Sequence, residues 1–147
     1  LPLAVAIIGG AADRFVPLVD LYRRALAELD KPALPIAIHS PGHVAASDEQ
    51  AREEFWPGYR EITARIGAER GWPPPSRIAF EAEVLAGALY VGSPDTVAAR
   101  IAATVGVLGA NRFNLKYASG PLPHSQLMTS IELYGREVIP QVLDRLA

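Results

Sequence analysis

The chain has 147 residues, half of them apolar and a fifth charged, with a formal net charge of −2. Such a composition builds a core, and it excludes a disordered chain. No Lys/Arg block is present to meet nucleic acid or an anionic membrane surface, no apolar run reaches the roughly 18 residues that cross a bilayer, and without cysteine there is no disulfide, thiolate metal site or cysteine nucleophile.

"LPLAVAIIGG" opens the chain as an apolar run closed by two glycines, and Leu3–Ile8 suits a strand buried on both faces, as in a parallel sheet. The run lacks the basic leader and cleavage site of a signal peptide. Because Leu1 enters it directly, the chain is expected to be a piece of a longer protein of the cytoplasm. Asp13 stands where an N-cap belongs, and Phe15, Leu18, Val19, Tyr22, Leu26 and Leu29 recur at helical steps.

Pro32 and Pro35 end that helix, and Leu34–Ser40 gives a second buried strand followed by a loop, "PGHVAAS". Ser47 or Asp48 can cap a longer helix with Ala51, Phe55, Tyr59, Ile62 and Ile66 on one stripe. Pro57 falls inside the stripe, where a kink or break is expected. After the rigid turn "RGWPPPS", Ser76 can cap a short helix over Arg77–Leu85.

Leu89–Val91 is strand-like. A helix follows, with Ser93 at the N-cap, Pro94 in the first helical position and Asp95 where it complements the helix dipole. A Gly-Ser turn before a helix can hold a phosphate or simply cap. Capping explains all three residues, and Asp95 would repel a phosphate. Arg112–Tyr117 reads as the next strand. The last helix carries Leu127, Ile131, Tyr134, Val138 and Val142 on one face, with a bend expected at Pro140. Buried strands alternating with amphipathic helices make βα units on a parallel sheet. Three main strands fall short of the eight, over about 250 residues, that close a barrel of this kind.

The segments "LPLAVAIIGG", "AIHSPGHVA", "REEFWPGYR", "RIGAERGWPPPSR", "LYVGSPDTVAARIAATV", "NRFNLKYASGPLPH" and "SIELYGREVIPQV" together resemble the C-terminal part of the bacterial-luciferase-like family. The resemblance implies an α/β fold, a partial TIM (β/α)8 barrel containing the sixth to eighth strands. Residues 1–147 form a single partial domain with a helical insertion at 41–87, a region often mobile in the family. It also implies a flavin-dependent monooxygenase or oxidoreductase acting on a small organic substrate. The cofactor would be FMN or a deazaflavin such as F420, with most phosphate contacts in an N-terminal half that this chain lacks. Asn114, Pro121 and Ser125 depart from the acid, Thr and Glu common at those positions.

The active face of a βα-barrel is the C-terminal end of its strands. That rule selects Gly9 and Gly10, His39 and Ser40 with His43 beyond, and Lys116, Tyr117 and Ser119. His39 is the candidate catalytic group, beside flavin or substrate, and the alternative is a histidine satisfied by a backbone carbonyl. Gly9, Gly10, Ser40, Lys116 and Tyr117 are the candidate cofactor-facing positions. Gly9-Gly10 also suits a plain tight turn, and Lys116 an ion pair across the mouth. His43 reads as a loop residue and His124 as a local cap. Trp56 and Trp72 anchor the irregular excursion or cover a pocket. The four-residue spacing of His39 and His43 does not aim both rings at one ion, so no metal site is expected. An open three-stranded sheet has bare edges, so the chain is expected to associate with itself or with its missing half. The competing expectation is a non-catalytic half-barrel, inactive alone and without flavin.

Overall fold

A computed structural model describes residues 1–147. Four parallel strands and six α-helices alternate along it. Strand β1 (Leu3–Ala6) is followed by a 3-10 turn, Ala12–Phe15, and helix α1 (Val16–Glu28). Strand β2 (Ile36–Val44) leads into α2 (Asp48–Arg70) and α3 (Arg77–Ala86). Then come β3 (Tyr90–Gly92), α4 (Pro94–Leu108), β4 (Arg112–Lys116) and α5 (His124–Leu133). A π-helical turn at Tyr134–Val138 joins α5 to α6 (Ile139–Leu146). No helix is long and apolar enough to cross a membrane.

β2 is the hub of the sheet. Its first half pairs with β1, Ala6 opposite His39, and with β4, from Ala37 opposite Arg112 to Pro41 opposite Lys116. Its last three residues pair with β3. The strand therefore runs on to Val44, through the Pro-Gly step that the sequence suggests is a loop. β1 has already ended where Pro41 begins, so the missing N–H breaks no bond of that ladder. Gly42 is needed there, because a Cβ would collide with the Tyr90 carbonyl.

The outer face of the sheet is the buried one. Val5, Ile7, Ile36 and Ile38 pack with Val19 of α1 and Leu108 of α4. Val44 and Tyr90 pack with Val97, Ile101 and Val138. A third cluster joins Phe55 of α2 and Phe80 and Val84 of α3 to Ala45, Leu89 and Val91. This last cluster seats the excursion over the C-terminal ends of the strands.

Local signals match well at the helix starts. Ser47, Ser76 and Ser93 each accept the N–H three residues on, at Gln50, Ala79 and Thr96. Three expectations fail. Helix α2 runs unbroken through Pro57, which lies on its exposed side, where the freed carbonyl is open to solvent. In the last helix the irregular turn comes at Tyr134–Val138, before Pro140, and Asp13 caps nothing with its side chain.

Asp48 ties the start of α2 to that of α4. Its carboxylate accepts the Ser93 N–H at 2.7 Å and the Thr96 hydroxyl at 3.0 Å. Partial burial works to raise its pKa, but these hydrogen bonds and nearby Arg52 outweigh it and hold the pKa below the ordinary value. A depressed folded pKa stabilises above the ordinary carboxylate range and is lost as pH falls through it. Asp48→Asn is therefore expected to cost about 1 kcal/mol at pH 7, discounted for partial exposure. Urea midpoints should show that gap closing at pH 3. An equal gap at both pH values would refute the assignment.

Candidate functional site

Side chains of a strand alternate between faces, so the burial of Val5, Ile7, Ile36 and Ile38 leaves the other set on the inner face. That set contains Ala4 and Ala6 of β1, Ala37, His39 and Pro41 of β2, and Arg112, Asn114 and Lys116 of β4. All are exposed or half-buried. The register brings Ala6, His39 and Asn114 into one row, with Ala4, Ala37 and Arg112 in the row below. The Arg112 Nε donates to the Asn114 Oδ1 at 3.0 Å. Alanines occupy three of the eight positions, and the charged groups, Arg112 and Lys116, are cationic, with no carboxylate among them.

Of the positions singled out in the sequence, His39 and Lys116 lie on this inner face, Lys116 at the end of β4 and His39 within β2, opposite the last residue of β1, because β2 runs on to Val44. Lys116 forms no ion pair within the chain. Tyr117, 45% exposed, follows it at the mouth, and Gly9 has open space around it. Ser40 faces the other way. It is fully buried, and its hydroxyl donates to the Ile7 carbonyl at 3.0 Å. Gly10, at φ +78, donates its N–H to the Glu83 carboxylate at 3.2 Å, so that amide is already engaged.

The same carboxylate takes the Ala88 N–H at 2.9 Å, fastening the β1 turn to the end of α3. Nearby, Arg100 clamps the carbonyls of Val84, Gly87 and Leu89. Burial lowers its pKa against the pull of Tyr90 and Glu83. At the start of α4 the Ser93 N–H is held by Asp48, and the Thr96 N–H by the Ser93 hydroxyl. That helix start is a cap.

Sequence reasoning missed two features. Asn114 and Arg112 share the inner face with His39, which strand alternation alone would have indicated. His43 lies in a strand, fully buried, with its Nε2 at 2.7 Å from the Glu54 carboxylate. No signal in the sequence pairs those two residues. Trp56 packs on Phe80, with ring centroids 5.2 Å apart, whereas Trp72 is half exposed beneath Arg70. His124 begins α5, and no cluster of His, Asp and Glu could hold a metal ion.

The oxygenating constituent of 3,6-diketocamphane monooxygenase from Pseudomonas putida, solved with FMN, superposes on 93% of the chain with a TM-score of 0.67 at 20% identity. The fold is that of the luciferase-like barrel. Monooxygenase RslO1 from Streptomyces bottropensis also matches over 93% of the chain, with a TM-score of 0.66 and 19% identity. The coenzyme F420-dependent tetrahydromethanopterin reductase from Methanopyrus kandleri matches over 95%, at 0.60 and 17%. The chain spans 42%, 41% and 45% of those three structures. No protein-family model and no curated protein matches it.

Proposed function

We propose that the chain is the wall-forming C-terminal part of a luciferase-like oxidoreductase or monooxygenase that uses reduced flavin, FMN or a deazaflavin, to oxidise a small organic substrate. The observation that carries this reading is the bare inner face. A protein of this size has no reason to leave His39, Asn114, Arg112 and Lys116 on that face unless something lies against it. When bound, a reduced flavin supplies the redox chemistry, reacting with oxygen or exchanging a hydride with the substrate. The chain's own groups bind, orient and move protons. Lys116 and Arg112 favour an anionic group, Asn114 fixes orientation, and His39 offers a ring nitrogen for a proton. Gly9 leaves space for close approach, and Tyr117 borders the mouth.

The test is a titration of FMN, and separately of F420, into the purified chain. Quenching of cofactor fluorescence with micromolar affinity, weakened at least tenfold in a Lys116→Ala, His39→Ala double variant, is the expected result. A chain that quenches neither cofactor at any concentration reached would sink the reading for this piece.

The open edges favour a second component. β1 and β4 each have an unpaired side, and apolar side chains stand exposed on the flanking helices: Leu18 and Leu21 on α1, Ile139 and Leu143 on α6. Three strands of this sheet take barrel positions, leaving five of the usual eight to a complementary part. Alone, the chain is expected to self-associate, with a mass by light scattering above that of one copy. A stable, strictly monomeric chain would contradict this.

A further inference from the structure

One buried titratable group has no role in the site above. His43 follows Ala37, His39 and Pro41 on the same side of β2, at the C-terminal end of the strand, where barrel enzymes hold their reacting groups. Its side chain is wholly buried, stacked on Phe55 with centroids 5.9 Å apart and planes 17° apart. The Nε2 lies 2.7 Å from the Glu54 carboxylate, and that carboxylate takes the Gln50 amide at 2.7 Å on its other oxygen. The Nδ1 is buried and has no partner at all.

A carboxylate accepts only, so beside it Nε2 carries the hydrogen, and in the neutral ring Nδ1 is then a bare lone pair. A carboxylate that orients one imidazole nitrogen and frees the other is the arrangement acid–base dyads use. A buried acceptor without a donor is costly, and natural folds leave few of them. Phe55, the ring stacked on His43, belongs to an apolar cluster with Ala45, Phe80 and Val91.

We infer that His43 and Glu54 form an acid–base dyad at the mouth of the strands. Nδ1 of His43 accepts a hydrogen bond or proton from an O–H or N–H of the ligand held there, and Glu54 is the positioning residue. The ligand's identity as a flavin or its substrate rests on the proposed function; the dyad itself does not. Nδ1 is closed to solvent in the free chain, so contact with a ligand needs a local opening at the strand end that leaves the anchors of α2 in place.

The experiment uses the whole chain labelled with 15N-histidine. Long-range proton–nitrogen correlations should find His43 as the Nε2–H tautomer with Nδ1 unprotonated. In Glu54→Gln that preference should weaken and both tautomers should appear, because an amide can donate to Nε2 as well as accept from it. FMN is then added as probe, with fluorescence reporting binding and the Nδ1 resonance reporting contact, and that resonance should move at saturation. A proton on Nδ1 in the free chain overturns the dyad, as does a Glu54→Gln chain with the tautomer pattern of the parent. FMN bound with Nδ1 unmoved also overturns it. Absence of FMN binding sinks the flavin reading only, and the tautomer in the parent and in Glu54→Gln then decides the dyad.

Discussion

Phe55→Ala is expected to lower stability by about 3–5 kcal/mol, the range for deleting a buried aromatic ring. Phe55 is completely buried, and its ring lies among those of His43, Tyr59 and Phe80, at centroid distances of 5.9, 6.2 and 6.4 Å. No other side chain of α2 reaches as far into the third core cluster. The surrounding groups are carried by β2, β3 and α3 and cannot collapse into the space together. Folded domains have only about 5–15 kcal/mol in hand. Urea unfolding should show the loss, and hydrogen exchange should place it first in α2 and α3, with the amides of α1 and α4 less affected. Phe55→Leu fills part of the space and should cost clearly less. A loss below 1 kcal/mol in Phe55→Ala would mean that the excursion is held by its polar anchors, Asp48 and the His43–Glu54 contact, and not by this ring.

Gly120→Ala is expected to cost about 3 kcal/mol, the sum of backbone strain and overpacking. Gly120 adopts φ +84, where an L side chain is strained, and a Cβ there would run into the Gly58 carbonyl. The contact is reciprocal. A Cβ on Gly58 would meet the Pro121 carbonyl at 2.7 Å. Two backbones touch at this point, the middle of α2 and the loop that leaves β4 after Tyr117, so neither can retreat without lifting α2 off the mouth. Gly71 is the control. It also has positive φ, at +69, but open space surrounds it, so Gly71→Ala should cost only about 1 kcal/mol. Equal losses at the two positions, measured by denaturant midpoints, would show that the close approach adds nothing.

Both substitutions act on the excursion, which bears on how the site works. α2 is fastened at Asp48, at Glu54, at Phe55 and at Gly58, all within its first half. Beyond Gly58 the helix continues to Arg70 with Gly67 as its one fully buried residue. The covering half is thus fixed to the strand ends, and freedom to move increases toward Trp72.

The sequence by itself determined the βα alternation, the partial-barrel architecture and the starts of α2, α3 and α4. Those features depend on neighbours along the chain: apolar residues at steps of two or of three and four, and serine hydroxyls that reach an N–H three residues away. It also placed Lys116 at a strand end, because the end of an apolar run is visible in one dimension, whereas His39 proved to lie within β2, which runs on to Val44. What only the tertiary structure decided are the contacts between distant segments. Pro41-Gly42 looks like a loop until β3 is seen against Gly42, and Pro57 looks like a break until it is seen to face water. Ser40 and the Gly10 amide look free until Ile7 and Glu83 are found to hold them. His43 looked incidental for the same reason. Its burial comes from Phe55 and its orientation from Glu54, and a turn of helix that folds back over a strand end leaves no local pattern in the residues that it covers.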